Sequence, residues 1–255
     1  MRSKFSNNIK YILFLFLISC SSNNNNIIPK IEDPVDVLYN DALNSVLDGK
    51  FKIAAPKFEE VERQHPYSIW AVKAHIMSAW SFYADNDYLK AESSINRFIE
   101  LYPADRLTEY AYYLLALCFY EQIVDVERDA LMTKKALEAF EEIIIRFPNG
   151  VYSSDARLKI ELTKSHLAGK EMAVGRFYLR QGYLSAAINR FQKVLDEYQS
   201  SNQVPEALYR LIASFSMMNL KEEANRSLKV AQYNFPNSPW TKKAEKLMSL
   251  TNSKK

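Results

Sequence analysis

The sequence predicts an all-α protein, an α-solenoid of about five helix pairs, and three observations carry that expectation. Apolar residues recur at spacings of three and four, as in "YNDALNSVL" and "SINRFIELY", which is the helical period. Only five glycines occur in 255 residues (Gly49, Gly150, Gly169, Gly175 and Gly182), poor material for hairpins or phosphate-cradling loops. Five segments also align without gaps: "APKFEEVERQHP", "SSINRFIELYP", "LEAFEEIIIRFP", "INRFQKVLDEYQ" and "RSLKVAQYNFP", ending at Pro66, Pro103, Pro148, Gln199 and Pro236.

Taken in chain order, the first element is residues 1–19. Arg2 and Lys4 precede an apolar run of about ten residues that ends in Leu17-Ile18-Ser19-Cys20. That run is about half the length a membrane-spanning helix needs, and its order of basic, apolar and small residues is that of a secretory signal. The last four residues look like a bacterial lipobox, in which Cys20 becomes the lipidated (palmitate-carrying) first residue of the mature chain. Several acyl chains, at about 0.8 kcal/mol per buried CH₂, hold such a protein on a membrane without crossing it. Ser21 stands where inner-membrane lipoproteins often carry Asp, which points to the outer membrane. Residues 20–34, rich in asparagine and bounded by Pro29 and Pro34, form a polar tether. Thirteen such residues reach about 45 Å at most and average roughly 20 Å as a coil.

The repeats come next. In each aligned segment a large apolar residue stands eight before the end (Phe58, Ile95, Phe140, Phe191, Leu228), and an alanine four before that (Ala54, Ala91, Ala136, Ala187, Ala224). Alanine lets two helices approach, the large residue one turn later fills the neighbouring groove, and proline stops the helix. Twelve residues before three of these alanines stands another small residue: Ala42, Ala79 and Gly175. This series resembles the tetratricopeptide repeat. Its copies end 37, 45, 51 and 37 residues apart. The middle therefore carries insertions, "VDVERDALMTKK" at 124–135 and "VYSSDARLKIELTKSHLAGK" at 151–170. They divide the array into N-terminal repeats one to three, residues 35–150, and C-terminal repeats four and five, residues 151–243, followed by a polar tail, 244–255.

Composition excludes several functions. With the signal removed, Arg2, Lys4 and Lys10 are lost, leaving 30 basic residues against 30 acidic, so the basic footprint of a nucleic-acid binder is missing. Once Cys20 is acylated, Cys118 is alone, so no internal disulfide is expected; inside "AYYLLALCFYEQI" it reads as a buried apolar residue. His65, His75 and His166 are scattered, no pair has the spacing of a zinc helix, and no nucleophile elbow, Walker loop or dinucleotide fingerprint occurs. "ADNDY" at 84–88 mimics a calcium loop but lacks its glycine and distal glutamate, and "DGKF" and "RQGY" occupy the same turn in other repeats. The expectation is a protein with no catalytic residue, metal or cofactor. The remaining role is binding. In tetratricopeptide repeats the first helix of each pair lines the concave face, and that register places Tyr39, Trp80, Tyr83, Tyr113 and Tyr120 there. Such aromatics suit an extended peptide with large apolar side chains, or else pack between helices.

At a finer grain, "HPYSIWA" (65–71), "YYLLALCFYEQIVDVERDALMTKKALEAFEEIIIRFPNGVYSSDA" (112–156), "LAGKEMAVGRFYL" (167–179), "AAINRFQKVL" (186–195) and "NFPNSPW" (234–240) resemble the BamD family of outer-membrane protein assembly factors. The likeness covers nearly all of residues 35–243. It implies a lipid-anchored scaffold on the periplasmic face of the outer membrane that binds the POTRA domains of the barrel-forming BamA subunit and unfolded β-barrel clients, with other lipoprotein subunits of the machinery possible as partners. The family's C-terminal repeats dock on BamA, which maps to about Gly169 to Trp240, and its N-terminal repeats take part in client recognition. Glu127, Arg128 and Asp129 match the family motif, either as partner contacts or as a loop that braces the third repeat. Gly150 departs from the family's usual serine, and the fourth repeat ends without proline. Two other readings share part of this pattern: a repeat lipoprotein that scaffolds cell-wall enzymes, and a wall hydrolase fused to repeats, for which five repeats leave no catalytic domain.

Overall fold

The computed structural model describes residues 33–126 and 128–253. Cys20, the signal and most of the tether therefore lie outside the described residues, as does Glu127. Within 35–253 the chain forms helices α1 (Val35–Leu47), α2 (Phe51–Gln64), α3 (Ile69–Ala84), α4 (Tyr88–Leu101), α5 (Thr108–Tyr120), α6 (Leu131–Arg146), α7 (Ser153–Arg180), α8 (Leu184–Glu197), α9 (Val204–Met217), α10 (Lys221–Asn234) and α11 (Pro239–Ser253). No strand occurs among the described residues. The class is all-α, and the helices pack in sequence as a tetratricopeptide-like solenoid.

The repeated small and large residues make the core. The five alanines, with Ala42 and Ala79, are fully buried, as are Phe58, Ile95, Phe140 and Phe191. Leu228, in the last copy, is only partly buried. Gly175 shows why a small residue is needed: a Cβ there would lie 2.4 Å from the Phe191 ring. Each apolar cluster joins both helices of one pair to the first helix of the next, as Ala42, Ala54, Phe58, Val61 and Ala74 do for α1, α2 and α3. A repeat cannot close its own core, so the fifth pair needs a further helix. That helix is α11. Residues 244–253, expected to be a polar tail, continue it and bury Ala244 and Met248 against Ile212 and Ala224.

The turns are equally regular. Gly49 and Gly182 adopt φ of 70° and 80°, and Asn86 and Asn219 adopt 61° and 57° at the same point of other pairs. Asn is among the few residues with a side chain that enter the left-handed region readily. "ADNDY" is such a turn, and Asp87 caps α4 by accepting the Lys90 N–H at 3.3 Å. Between pairs, the hydroxyls of Thr108, Ser153 and Thr241 donate to the carbonyls of Tyr102, Phe147 and Phe235, each six residues earlier at the end of the preceding helix. Cys118 is buried, and burial pushes its thiol up to about 12.

The two insertions have different fates. Residues 151–170 merge with the first helix of the fourth pair, so that α7 runs 28 residues. Its N-terminal half packs Ala156 and Ile160 against Phe140 and Ile143, and its C-terminal half packs Leu167, Ala168 and Met172 against Ala187 and Phe191. The loop before α6 folds back onto α7, where the Val126 methyl would stand 3.2 Å from a Cβ on Gly169.

Candidate functional site

The first helices α1, α3 and α5 make direct contacts with one another along the array. All five predicted aromatics, Tyr39, Trp80, Tyr83, Tyr113 and Tyr120, are half-buried. Tyr113 of α5 stacks on Tyr152 with ring centroids 4.7 Å apart, and its hydroxyl donates to Asp155 Oδ2 of α7 at 2.6 Å. Burial first, and then the Asp155 carboxylate, push this phenol far above its ordinary value. One turn along α7, the Lys159 ammonium stands 4.6 Å from the centre of the Tyr120 ring. Tyr83 of α3 joins the group: its hydroxyl lies 3.5 Å from Glu121 Oε1, and burial with that carboxylate pushes it up to about 12.

Tyr39 and Trp80 stand apart from this group. Tyr39 packs on Phe58 at 5.3 Å and on Trp70 at 4.7 Å, while Trp80 meets the edge of Phe51 at 5.5 Å. The Phe58 and Phe51 contacts tie α1 and α3 to α2, and the Trp70 contact ties α1 to α3, so both rings lie in helix–helix contacts.

Next to Tyr120, between the end of α5 and the middle of α7, opens a cavity of about 360 Å³ lined by Tyr120, Glu121, Ile123, Val124, Leu162, Thr163 and His166. Leu162 is 58% exposed and Val124 44%, which leaves an apolar lip beside an aromatic wall. A large apolar side chain fits such a site, with Glu121 and Lys159 at its margin for the polar backbone of an extended peptide. The α7 side was not legible in the sequence. Asp155, Lys159, Leu162 and His166 lie at helical spacing in an inserted segment that has no counterpart in the other repeats, so nothing paired them with α5.

The charged insertion is braced by its own backbone. The Lys170 ammonium donates to the Arg128 carbonyl, the Arg128 N–H donates to Asp125 O at 2.9 Å, and Asp129 Oδ1 accepts from the Leu131 N–H at 3.2 Å at the start of α6. The Arg128 and Asp129 side chains are nonetheless exposed. In the C-terminal pairs, Glu171 of α7 receives Arg190 at 3.0 Å and Lys193 at 2.9 Å from α8. Burial alone would raise the Glu171 carboxyl, but the two cations outweigh it and hold it below its ordinary value. Glu206 gathers Arg176 and Arg210, and Trp240 lies against Tyr209 at 5.4 Å under the Lys243 ammonium. Among the described residues no cluster of three or more His, Cys, Asp or Glu could hold a metal, and no helix is long and apolar enough to cross a membrane.

Comparison with known proteins gives consistent likenesses. The family model of YfiO, an outer membrane lipoprotein, matches residues 31–231. A protein of Caulobacter vibrioides is 44% identical over 218 residues, covering 86% of this chain and 72% of its own. One of Rickettsia prowazekii is 41% identical over 237 residues, covering 93% and 94%. Both bear the name outer membrane protein assembly factor BamD. Among solved structures, the MamA protein aligns at 16% identity with a TM-score of 0.39 over 78% of this chain and 90% of its own. YrrB, a TPR protein with an unusual peptide-binding site, aligns at 15% identity with a TM-score of 0.37 over 84% and 92%.

Proposed function

The chain belongs to the YfiO family of outer membrane lipoproteins, and from that premise we propose that it is a non-catalytic scaffold of outer-membrane β-barrel assembly. In this reading Cys20 carries the lipid anchor, and the repeats stand on the periplasmic face of the outer membrane. Residues from about Gly169 to Trp240 dock on the POTRA domains of a BamA subunit, with Arg128 and Asp129 at the edge of the braced loop as further contacts. The face of α5 and α7 receives unfolded barrel clients. The observation that carries the reading is the 41–44% identity to two BamD proteins over most of the chain. The cavity beside Tyr120 supports the client role, because its exposed Leu162 and Val124 have no core to serve.

The client role is tested with an unfolded outer-membrane barrel polypeptide, diluted from urea and titrated by fluorescence anisotropy. Leu162→Glu changes an exposed residue, so the melting temperature should hold. Affinity should fall by about tenfold, the scale of a single apolar anchor worth 1–2 kcal/mol. Unchanged affinity at unchanged stability would remove the α5–α7 face from the client path.

A further inference from the structure

His75 of α3 is 2% exposed, and its ring is packed by the rings of Phe98 at 5.5 Å and Tyr102 at 6.1 Å. Its Nε2 lies 3.0 Å from the Ser94 carbonyl of α4. A carbonyl only accepts, so Nε2 carries the hydrogen and Nδ1 of the neutral ring presents a bare lone pair. That lone pair has no hydrogen-bond partner, and the group it faces is the Glu62 carboxylate of α2, 3.6 Å away. Two acceptors confront each other inside a helix seam. Glu62 is already engaged, because Arg97 of α4 donates to its other oxygen at 2.6 Å.

We propose that His75 is an acid-sensitive latch at the seam of the first two helix pairs: the neutral imidazole keeps α2, α3 and α4 closed, and proton uptake at Nδ1 loosens them. A proton there places a cation in an apolar seam where the single facing carboxylate is shared with Arg97. To form a short ion pair with His75, Glu62 must move towards α3 and away from Arg97. Glu62 faces the imidazole from α2, with the exposed Glu59 beyond it acting on Glu62 and Arg97, while Arg97 of α4 and Tyr102 just past its end approach from the other side. Among the described residues, α1 and α5 contribute no charged group acting on the imidazole.

The direction of the response follows from burial, which holds His75 below its ordinary 6.5, with Arg97 adding to that and Glu62 and the Ser94 carbonyl opposing it. The folded seam therefore takes up the proton less readily than the unfolded chain. Its stability is full above about 6.5 and declines as pH falls from there towards the folded value.

The test uses the full mature chain in detergent. Imidazole resonances are followed by NMR against pH, with His75 identified as the signal that survives in both His65→Gln and His166→Gln. Amide exchange, corrected for its intrinsic pH dependence, is compared at neutral and mildly acidic pH. His75 should titrate below 6.5, and protection in α2–α4 should drop by about tenfold per unit of depression while α8–α10 hold theirs. His75→Gln, which keeps a donor for the Ser94 carbonyl but cannot charge, should abolish that selective drop. If this variant does not fold, the titration and the regional comparison in the unaltered chain still decide. Titration at or above 6.5, an equal loss of protection in α8–α10, or a His75→Gln chain with the same drop would each overturn the latch.

Discussion

At the scale of single residues, the molecule depends on a few positions where size is fixed to within a methyl group. Gly175 is the clearest. The Phe191 ring occupies the place its side chain would take, and Phe191 is itself fully buried. Helix propensity favours alanine over glycine by about 1 kcal/mol, so an open site would gain from the exchange. Here overpacking should win. Gly175→Ala should destabilise by about 1–3 kcal/mol in chemical denaturation, against the propensity trend. A neutral or stabilising result would mean that the seam between α7 and α8 is looser than the Gly175–Phe191 contact requires. The same scale separates the tyrosines: Tyr113 spends its hydroxyl on Asp155, whereas Tyr120 lines an open cavity.

At the scale of elements, α7 is the piece that joins the two parts of the array. Its first half closes the core of the third pair and its second half opens the fourth, without a break in 28 residues. Glu171, in the second half, fastens it to α8 through Arg190 and Lys193. The cations are partly exposed, so Glu171→Gln should cost about 1 kcal/mol at neutral pH rather than the several of a fully buried pair. Because Arg190 and Lys193 hold the folded carboxyl below its ordinary 4.5, that advantage is present above 4.5 and is lost as pH falls below it. The denaturation curves of the two proteins should therefore converge on acidification. A gap that persists undiminished in strong acid would assign the effect to packing.

At the scale of the whole molecule, much of the solenoid was legible because it is written five times. The large residue eight before each segment end and the alanine four before it recur at one spacing, and, Leu228 apart, those positions are fully buried. What the repeat did not carry was harder to read. The terminal helix α11 lacks a proline-ended partner, and its lysines and serines masked Ala244 and Met248, the two residues that seal the last core. The α5–α7 face was half visible: the aromatic register gave Tyr113 and Tyr120, but their partners Asp155 and Lys159 sit in a segment without an internal counterpart. Tyr39 and Trp80 fell in the same register because a first helix also has sides turned to its neighbours: Tyr39 meets Phe58 of its own pair, and Trp80 meets Phe51 of the pair before. Register fixes the helix, and only packing tells which of its sides meets solvent.

If the array holds a barrel-forming partner at the outer membrane, the two leave that membrane together on purification. Tagged, lipidated protein would be isolated in mild detergent and its near-stoichiometric companions identified by mass spectrometry. A large β-barrel protein with periplasmic POTRA domains is the expected companion, lost when residues between Gly169 and Trp240 are altered at the surface. Cell-wall enzymes in its place, with no such barrel, would contradict the assembly role.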